Sequence, residues 1–470
     1  MSYSRLGYFA IKVETDENTA VTPDVFIPLM SEDIVTEHGV NPAMPVSAKR
    51  QLNLRGIKNA INAPTGTVNV LAEPKIMGYF LRGVYGSVSS GQIIKISSLS
   101  ADFTVGETVT GGSSSETATV VITSTEGDYV LVSSASGNFT VGETITGGTS
   151  SSTATVVSFD TTRYGHQFSA PQSSLPTFTV EIGLQNEAYR YTGVRFNALN
   201  SIAQSDNIIT AALGMVARSE YKYGRITEVT TSGAGSKTLT LNQTTGLAAS
   251  DTVKIYRPGT GFIDFSASSV KTHTIGTVAS ETTITVTNLQ TSTQVGDLLV
   301  LAPQTPSYTI DSEFCWIGGS TVRVADSITS AVSASADSIE DFEIVLANEV
   351  EGKHAANGTN QVNRFPATNF LKGLTGSGSI TRTYTDMTYV DRLVNSTQTA
   401  ILVNHTGNEI GSTGLYYELE WRTPYAIFDP FNPSISEDDL LNQEMPFTMY
   451  DASSDGFFHK ALLINDVSSY

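Results

Sequence analysis

Large apolar residues alternate with polar ones at residues 178–182, with Phe178, Val180 and Ile182 on one side, and again at 417–421, with Tyr417, Leu419 and Trp421. A period of two is the pattern of a strand with one buried face. The surroundings of the two runs match as well. Upstream of the first, Ile76, Met77, Phe80, Leu81 and Val84 form one apolar stripe at helical spacing within residues 73–85. Pro74 near its start and Gly86 just past its end are the boundary residues a helix prefers. Upstream of the second, residues 386–395 place Met387, Val390, Leu393 and Val394 on one helical face, with Thr385 positioned to cap it. A glycine and a strand precede each helix, Gly66 before residues 67–71 and Gly378 before residues 379–384. After each alternating run, residues 201–208 echo residues 434–441. The order strand, helix, strand, acidic turn, strand is written twice, which predicts an internal duplication with 178–182 and 417–421 as counterparts.

The first copy is the longer. Gly86 and Phe178 are 92 positions apart, Asn395 and Tyr417 only 22. The excess is filled by a repeat: residues 103–121 and 139–157 are near-identical over 19 positions at an offset of 36, each opening Phe-Thr-Val-Gly-Glu-Thr. Such self-similarity marks a duplicated structural unit. A 36-residue unit is too small to hold a core, so the two are expected to pack together as one small β module. A weaker repeat lies in residues 223–306, where residues 237–241 and 251–256 resemble 282–287 and 296–300.

Composition agrees with an all-β chain. Of 470 residues, 40% are hydrophobic and only 16% charged, and Ser, Thr, Val and Gly abound. A net charge of −19 argues against wrapping nucleic acid, which needs a basic stripe to meet phosphates. The plain reading of that charge is solubility; the sharper one is a surface to which passing DNA does not adhere. The most basic stretch is 38–64, with Lys49, Arg50, Arg55 and Lys58; it reads equally as a solvated excursion or as a reach towards an acidic neighbour. The single cysteine, Cys315, excludes an intramolecular disulfide framework and a thiolate cluster. Neither a secretion signal nor an apolar run of membrane-spanning length is read, and synthesis in a cytoplasm is expected.

Candidate chemistry is sparse. His38, His166, His273, His354, His405 and His459 show no metal-ligand spacing, and no Gly-x-Ser-x-Gly elbow occurs. Residues 233–238 only superficially resemble a phosphate loop, lacking the Gly-Lys-Ser/Thr order. Glu437, Asp438 and Asp439 read as a solvated turn before a calcium site. The sequons at Asn138, Asn357, Asn395 and Asn404 carry little without a secretory signal, and Trp316 and Trp421 read as core. No catalytic, cofactor-binding or metal-binding residue is assigned, no cofactor is expected, and the chain is not read as an enzyme.

Three features nevertheless resemble one family, the major tail tube proteins of long-tailed bacteriophages with non-contractile tails (siphophages). They are the N-terminal run from Tyr8 to Thr15 with Thr19-Ala-Val-Thr-Pro following, the strand–helix–strand order around Gly66 to Tyr85 and 178–182, and the Phe-Thr-Val-Gly-Glu-Thr-Ile-Thr-Gly-Gly repeat. The resemblance implies a mainly β fold: two tandem tail-tube β-sandwich or barrel domains, each with one flanking helix, plus two inserted small all-β modules. In those terms residues 1–86 and 163–222 form tail-tube domain 1, residues 87–162 and 223–306 the inserted modules, and residues 307–470 tail-tube domain 2. It implies a structural virion protein in the phage tail whose rings stack into a tube, with a homotrimeric ring of six domains favoured over a hexamer. The implied partners are other copies of the chain, a tape measure protein, tail terminator and tip proteins, and DNA passing through the lumen without specific binding. The insertions are expected on the outside, where they contact the host surface or only decorate the tube. The alternative is a phage adhesin or capsid decoration protein binding host glycans; a glycan-cleaving virion enzyme is a weaker third reading, with no acid pair to support it.

Overall fold

A computed structural model describes the chain apart from residues 1–6, 44–54, 62, 171–174, 205–206, 233–235, 264, 267–268, 271, 288–292, 309–313, 315–318, 354–367, 385, 412–414, 432–441 and 452–456. It is 57% strand and 7% helix, so the chain is mainly β. In the first half, β1 (Tyr8–Val13), β2 (Leu29–Glu32) and β3 (Thr65–Leu71) precede helix α1 (Pro74–Tyr85). Then come β4 (Ser87–Ser97), β5 (Thr153–Ser169), β6 (Phe178–Gly183), β7 (Ala188–Ala203), β8 (Thr210–Val216) and β9 (Ser219–Tyr221). The second half runs β10 (Ser320–Ala325), α2 (Ile328–Ser333), β11 (Asp341–Lys353), β12 (Thr368–Thr383) and α3 (Thr388–Val394). It ends with β13 (Thr399–Glu409), β14 (Tyr416–Phe428), β15 (Asn442–Met449) and β16 (Lys460–Asn465).

The strand pairings repeat. In the first half the antiparallel order is β1-β6-β7-β8-β3-β2, and β9 pairs with the opening of β7. In the second it is β10-β13-β14-β15-β12-β11, and β16 pairs with the opening of β14. Register fixes the correspondence residue by residue. Gly66 faces Met215 and Gly378 faces Phe447, while Phe196 faces Met215 and Phe428 faces Phe447. Gly66 and Gly378 are therefore counterparts, as the sequence predicts, and each is needed for close approach: a Cβ on Gly66 would stand 2.5 Å from Ile34 Cα, and one on Gly378 would overlap the Glu343 carbonyl. The counterpart of residues 417–421 is corrected, however. It lies at the start of β7, not in β6, whose own counterpart is β13. Residues 434–441 lie outside the described residues.

Helix α1 forms where the stripe predicts, and Gly86 closes it in the left-handed conformation (φ 85°). Ile76, Met77, Phe80, Leu81 and Val84 are all buried. Helix α3 is shorter than predicted and its apolar face is only partly core: Leu393 packs against the core, but Met387 is 52% and Val394 74% exposed, and Tyr389, off that face, is buried.

Each insertion has its own apolar core. Residues Phe103, Val109, Val130, Phe139, Ile145 and Val156 cluster in one, and Ile226, Leu239, Val253, Ile275, Ile284 and Leu299 in the other. In the first, the strands Thr108–Gly111 and Thr144–Gly147 of the two repeats pair antiparallel. Glu107 accepts hydrogen bonds from Thr149 N, Ser150 N and Ser150 Oγ of the other repeat, and Glu143 does the same with Ser113 N, Ser114 N and Ser114 Oγ. Burial pushes both carboxyls up, but these bonds outweigh it and hold each at about 2.

The second insertion is built from the same unit, which the sequence comparison does not reveal. In all four places a residue at positive φ (Gly106, Gly142, Ser250, Gly296) precedes an acid (Glu107, Glu143, Asp251, Asp297). The acid's carboxylate accepts from the N–H three residues earlier, and its own N–H reaches the carbonyl of that same residue. The first insertion is joined to the body by paired strands, with a bulge at residues 160–163. The β4–β5 ladder runs from Ser87–Ser169 in the body to Ser97–Thr155 in the module, across the boundary expected at residue 162.

Candidate assembly interface

The two halves meet edge to edge. The end of β7 pairs antiparallel with β11, from Ala198–Ala347 to Ala203–Phe342, so β2-β3-β8-β7-β11-β12-β15-β14 is one continuous sheet. Two buried amides secure the seam. Asn348 Nδ2 donates to the carbonyls of Val84 (2.8 Å) and Phe196 (3.3 Å), and Asn369 Nδ2 to those of Gly193 (3.3 Å) and Val216 (3.4 Å). Helix α1 lies in the same seam. Asn465 donates to Pro74 O at 3.0 Å, the Tyr470 hydroxyl to Lys75 O at 2.9 Å, and Lys75 pairs with Asp466 at 3.1 Å. Tyr85 stacks on His459 and bonds to its Nδ1, and a methyl on Gly78 would overlap the Tyr470 ring.

This junction joins unlike edges. The edge of β11 that meets β7 has β2 and residues 33–37 as its counterpart in the first half. There Met30 and Val35 are each 57% exposed, and among the described residues only β3 pairs with β2. The face of the sheet away from the core carries Thr67, Asn69, Asn200, Ser377, Ser379 and Thr381, with Glu343 and Glu444 as carboxylates. Lys353 and Lys372 lie further out on the hairpin arms, paired with Glu351 (3.0 Å) and Glu349 (3.4 Å).

Each module docks on a buried arginine. Arg190 of β7 binds Glu181 (2.7 Å) and Asp251 of the second module (2.5 Å). The Tyr8 hydroxyl donates to Glu181 at 2.5 Å, and burial raises that hydroxyl's pKa. Arg422 of β14, the counterpart of Arg190 by register, binds Glu126 (2.6 Å) and Asp128 (2.5 Å) of the first module and also Glu420. Lys460 adds a bond to Glu126 at 2.8 Å, and Lys95 pairs with Glu418 at 2.9 Å. Burial pushes Glu126 up, but Lys460 and Arg422 outweigh it and hold it at about 2; Glu420, fully enclosed, is pushed up by burial in spite of Arg422. Cavities of about 610 Å³, by Thr125, Gln167 and Lys460, and about 590 Å³, by Arg190 and Asp251, mark the two seams.

The histidines are scattered structural residues. His166 bonds Ser90, Asn465 and the Val467 carbonyl; burial lowers it to about 4, and His405 and His459 to about 3. His273 is buried, and the side chains of His38 and His354 lie outside the described residues. Among the described residues no three His, Cys, Asp or Glu side chains could hold a metal, and no helix is long and apolar enough to cross a membrane. Trp421 is buried. Lys49, Arg50, Cys315, Trp316, Asn357, Glu437, Asp438, Asp439 and residues 233–235 lie outside the described residues, while Arg55 and Lys58 sit on the strand Arg55–Ile61 of a hairpin with His38–Ala43. The sequence reading missed Arg190 and Arg422; the signal for each is a cation at a buried position beside an aromatic residue, Tyr189 or Trp421. No protein-family model matches the chain, and no curated protein matches it.

Proposed function

We propose that this chain is a structural subunit of a phage tail tube, assembling as rings of three chains whose six related halves enclose a lumen and stack into a conduit for DNA. The observation that carries the reading is the seam between the halves. Two related halves are joined by unlike edges, β7 to β11, while β2, the counterpart of β11, keeps its far edge uncovered among the described residues. A heterologous contact of this kind repeats from chain to chain, generating a ring where the rotation closes. It also covers strand edges that would otherwise template aggregation. The uncharged and acidic face of the shared sheet suits a lumen, since few cations are presented to phosphate.

Electron microscopy of the purified protein tests this. Rings with three chains and six similar inner lobes, stacked into hollow tubes, are expected. Six chains per ring would keep the tube and remove the pseudo-six-fold arrangement. Discrete particles that bind cells and never form rings would favour the adhesin reading.

A further inference from the structure

The two helices, compared position by position, show what one of them lacks. Phe80 of α1 meets Phe196 edge-on with ring centres 6.2 Å apart, and Tyr389 of α3 meets Phe428 edge-on at 5.4 Å. Phe196 and Phe428 are counterparts by register, so Phe80 and Tyr389 occupy the same helical position. The rest of the helix then aligns. Met387, the N-cap residue just before α3, corresponds to Gly78, and Val394 to Tyr85. On α1 these two positions are covered by the second half: Gly78 by the Tyr470 ring and Tyr85 by the stacked His459 ring. On α3 they are the bare ones, with Met387 52% and Val394 74% exposed, while Leu393 stays packed against the core. A surface apolar pair seven residues apart, on the helical face that the sequence marks as apolar, is what an unfilled contact leaves behind.

We infer that the Met387–Val394 face of α3 docks a second copy of this chain, whose first half takes towards α3 the place that the second half takes towards α1. This rests on the ring reading only in naming the partner; the bare face itself follows from the helix comparison. The partner's counterpart to β16 is β9, paired with β7 as β16 is with β14, and Tyr223 just beyond it is 50% exposed. Where Asn465, Asp466 and Tyr470 close over α1, the Ser219–Tyr221 strand and the residues after it close over α3.

The test is a photo-crosslinking side chain at Val394, together with the variants Val394→Glu and Met387→Glu in the full-length protein. The crosslink is expected between chains, mapping to the first half around β9. Sedimentation velocity is expected to show that each charge raises the concentration for half-association about tenfold or more, because burying an unpaired carboxylate opposes the contact. Unfolding of the isolated chain should stay as in the wild type. Val295→Glu, which alters a valine 67% exposed on a turn of the second module, serves as control and should leave association unchanged. A crosslink that stays within one chain, or undiminished association of both glutamate variants, overturns the inference. Tubes forming normally from Val394→Glu would overturn it while leaving the tube reading intact. Closed trimers that never stack, but fall apart on Val394→Glu, would sustain it and sink the tube.

Discussion

Arg190 faces Glu181 across the ladder between β6 and β7, whereas Arg422 faces Leu402 across the ladder between β13 and β14. The first arginine thus draws one carboxylate from its own half and one from its module. The second draws Glu420 from its own strand, and Glu126 and Asp128 from a module inserted far away in the chain. The same position on the same strand therefore serves two connectivities. What is shared is a guanidinium that a module can meet with a carboxylate; the sequence around it sets how much charge the module must bring. A buried ion cluster of this kind adds little net stability over an apolar contact, but removing one partner strands the others.

Truncation ranks the two sites. Arg422→Ala leaves three carboxylates near Lys460 and should cost about 4–5 kcal/mol, against about 3 kcal/mol for Arg190→Ala, which strands two. Denaturant unfolding of the two variants checks the order, and equal losses would mean that the extra carboxylates are neutralised some other way. Next come the paired glycines. Gly66→Ala and Gly378→Ala each press a methyl on backbone and should cost about 2 kcal/mol apiece; a loss in only one half would break the correspondence of β3 with β12. Within the first module, Glu107→Gln and Glu143→Gln should each cost about 1–2 kcal/mol and by similar amounts, since each weakens a charge-assisted acceptor that bonds both its own turn and the other repeat.

The most general effect is the dependence on pH. Glu107, Glu126 and Glu143 are held at about 2 in the folded chain against an ordinary 4.5, so their stabilisation is complete above about pH 4.5 and is lost as pH falls towards 2. His166, His405 and His459 are held neutral by burial, so the unfolded chain takes up protons below about 6.5 where the folded chain does not, and stability declines from there towards 3–4. Melting curves across that range should fall in two stages. His459→Gln should soften the upper stage and Glu126→Gln the lower.

The ends and the stripe of α1 were legible in the sequence because Pro74, Gly86 and five apolar positions all point one way. The 36-residue repeat was legible because its letters are nearly identical. The match between 178–182 and 417–421 was misread because β6 and β7 are adjacent buried strands, and alternation alone does not distinguish one from its neighbour. The unit shared by the two modules was hidden by its tolerance: the turn accepts Gly or Ser before the acid, and Glu or Asp as the acid. Arg190 and Arg422 lay beyond reach because their partners are up to 296 positions away. Met387 and Val394 were placed with Val390 and Leu393 on one apolar helical face, and the isolated chain leaves those two exposed.

The β4–β5 ladder carries a mechanical consequence. β5 is 17 residues in one strand, and two register shifts fit it against the 11 residues of β4. It begins inside the first module and ends against β16 of the second half. The ribbon crosses from body to appendage through one wide irregularity, between Phe159 and Tyr164, with paired ladder on either side of it, so tilting the appendage is confined to that bulge rather than spread along a linker. Averaged images of many particles should therefore keep this module almost as sharp as the body that bears it, as a fixed spur rather than a blurred bead, and a load on the spur is passed straight to the seam where the two halves meet.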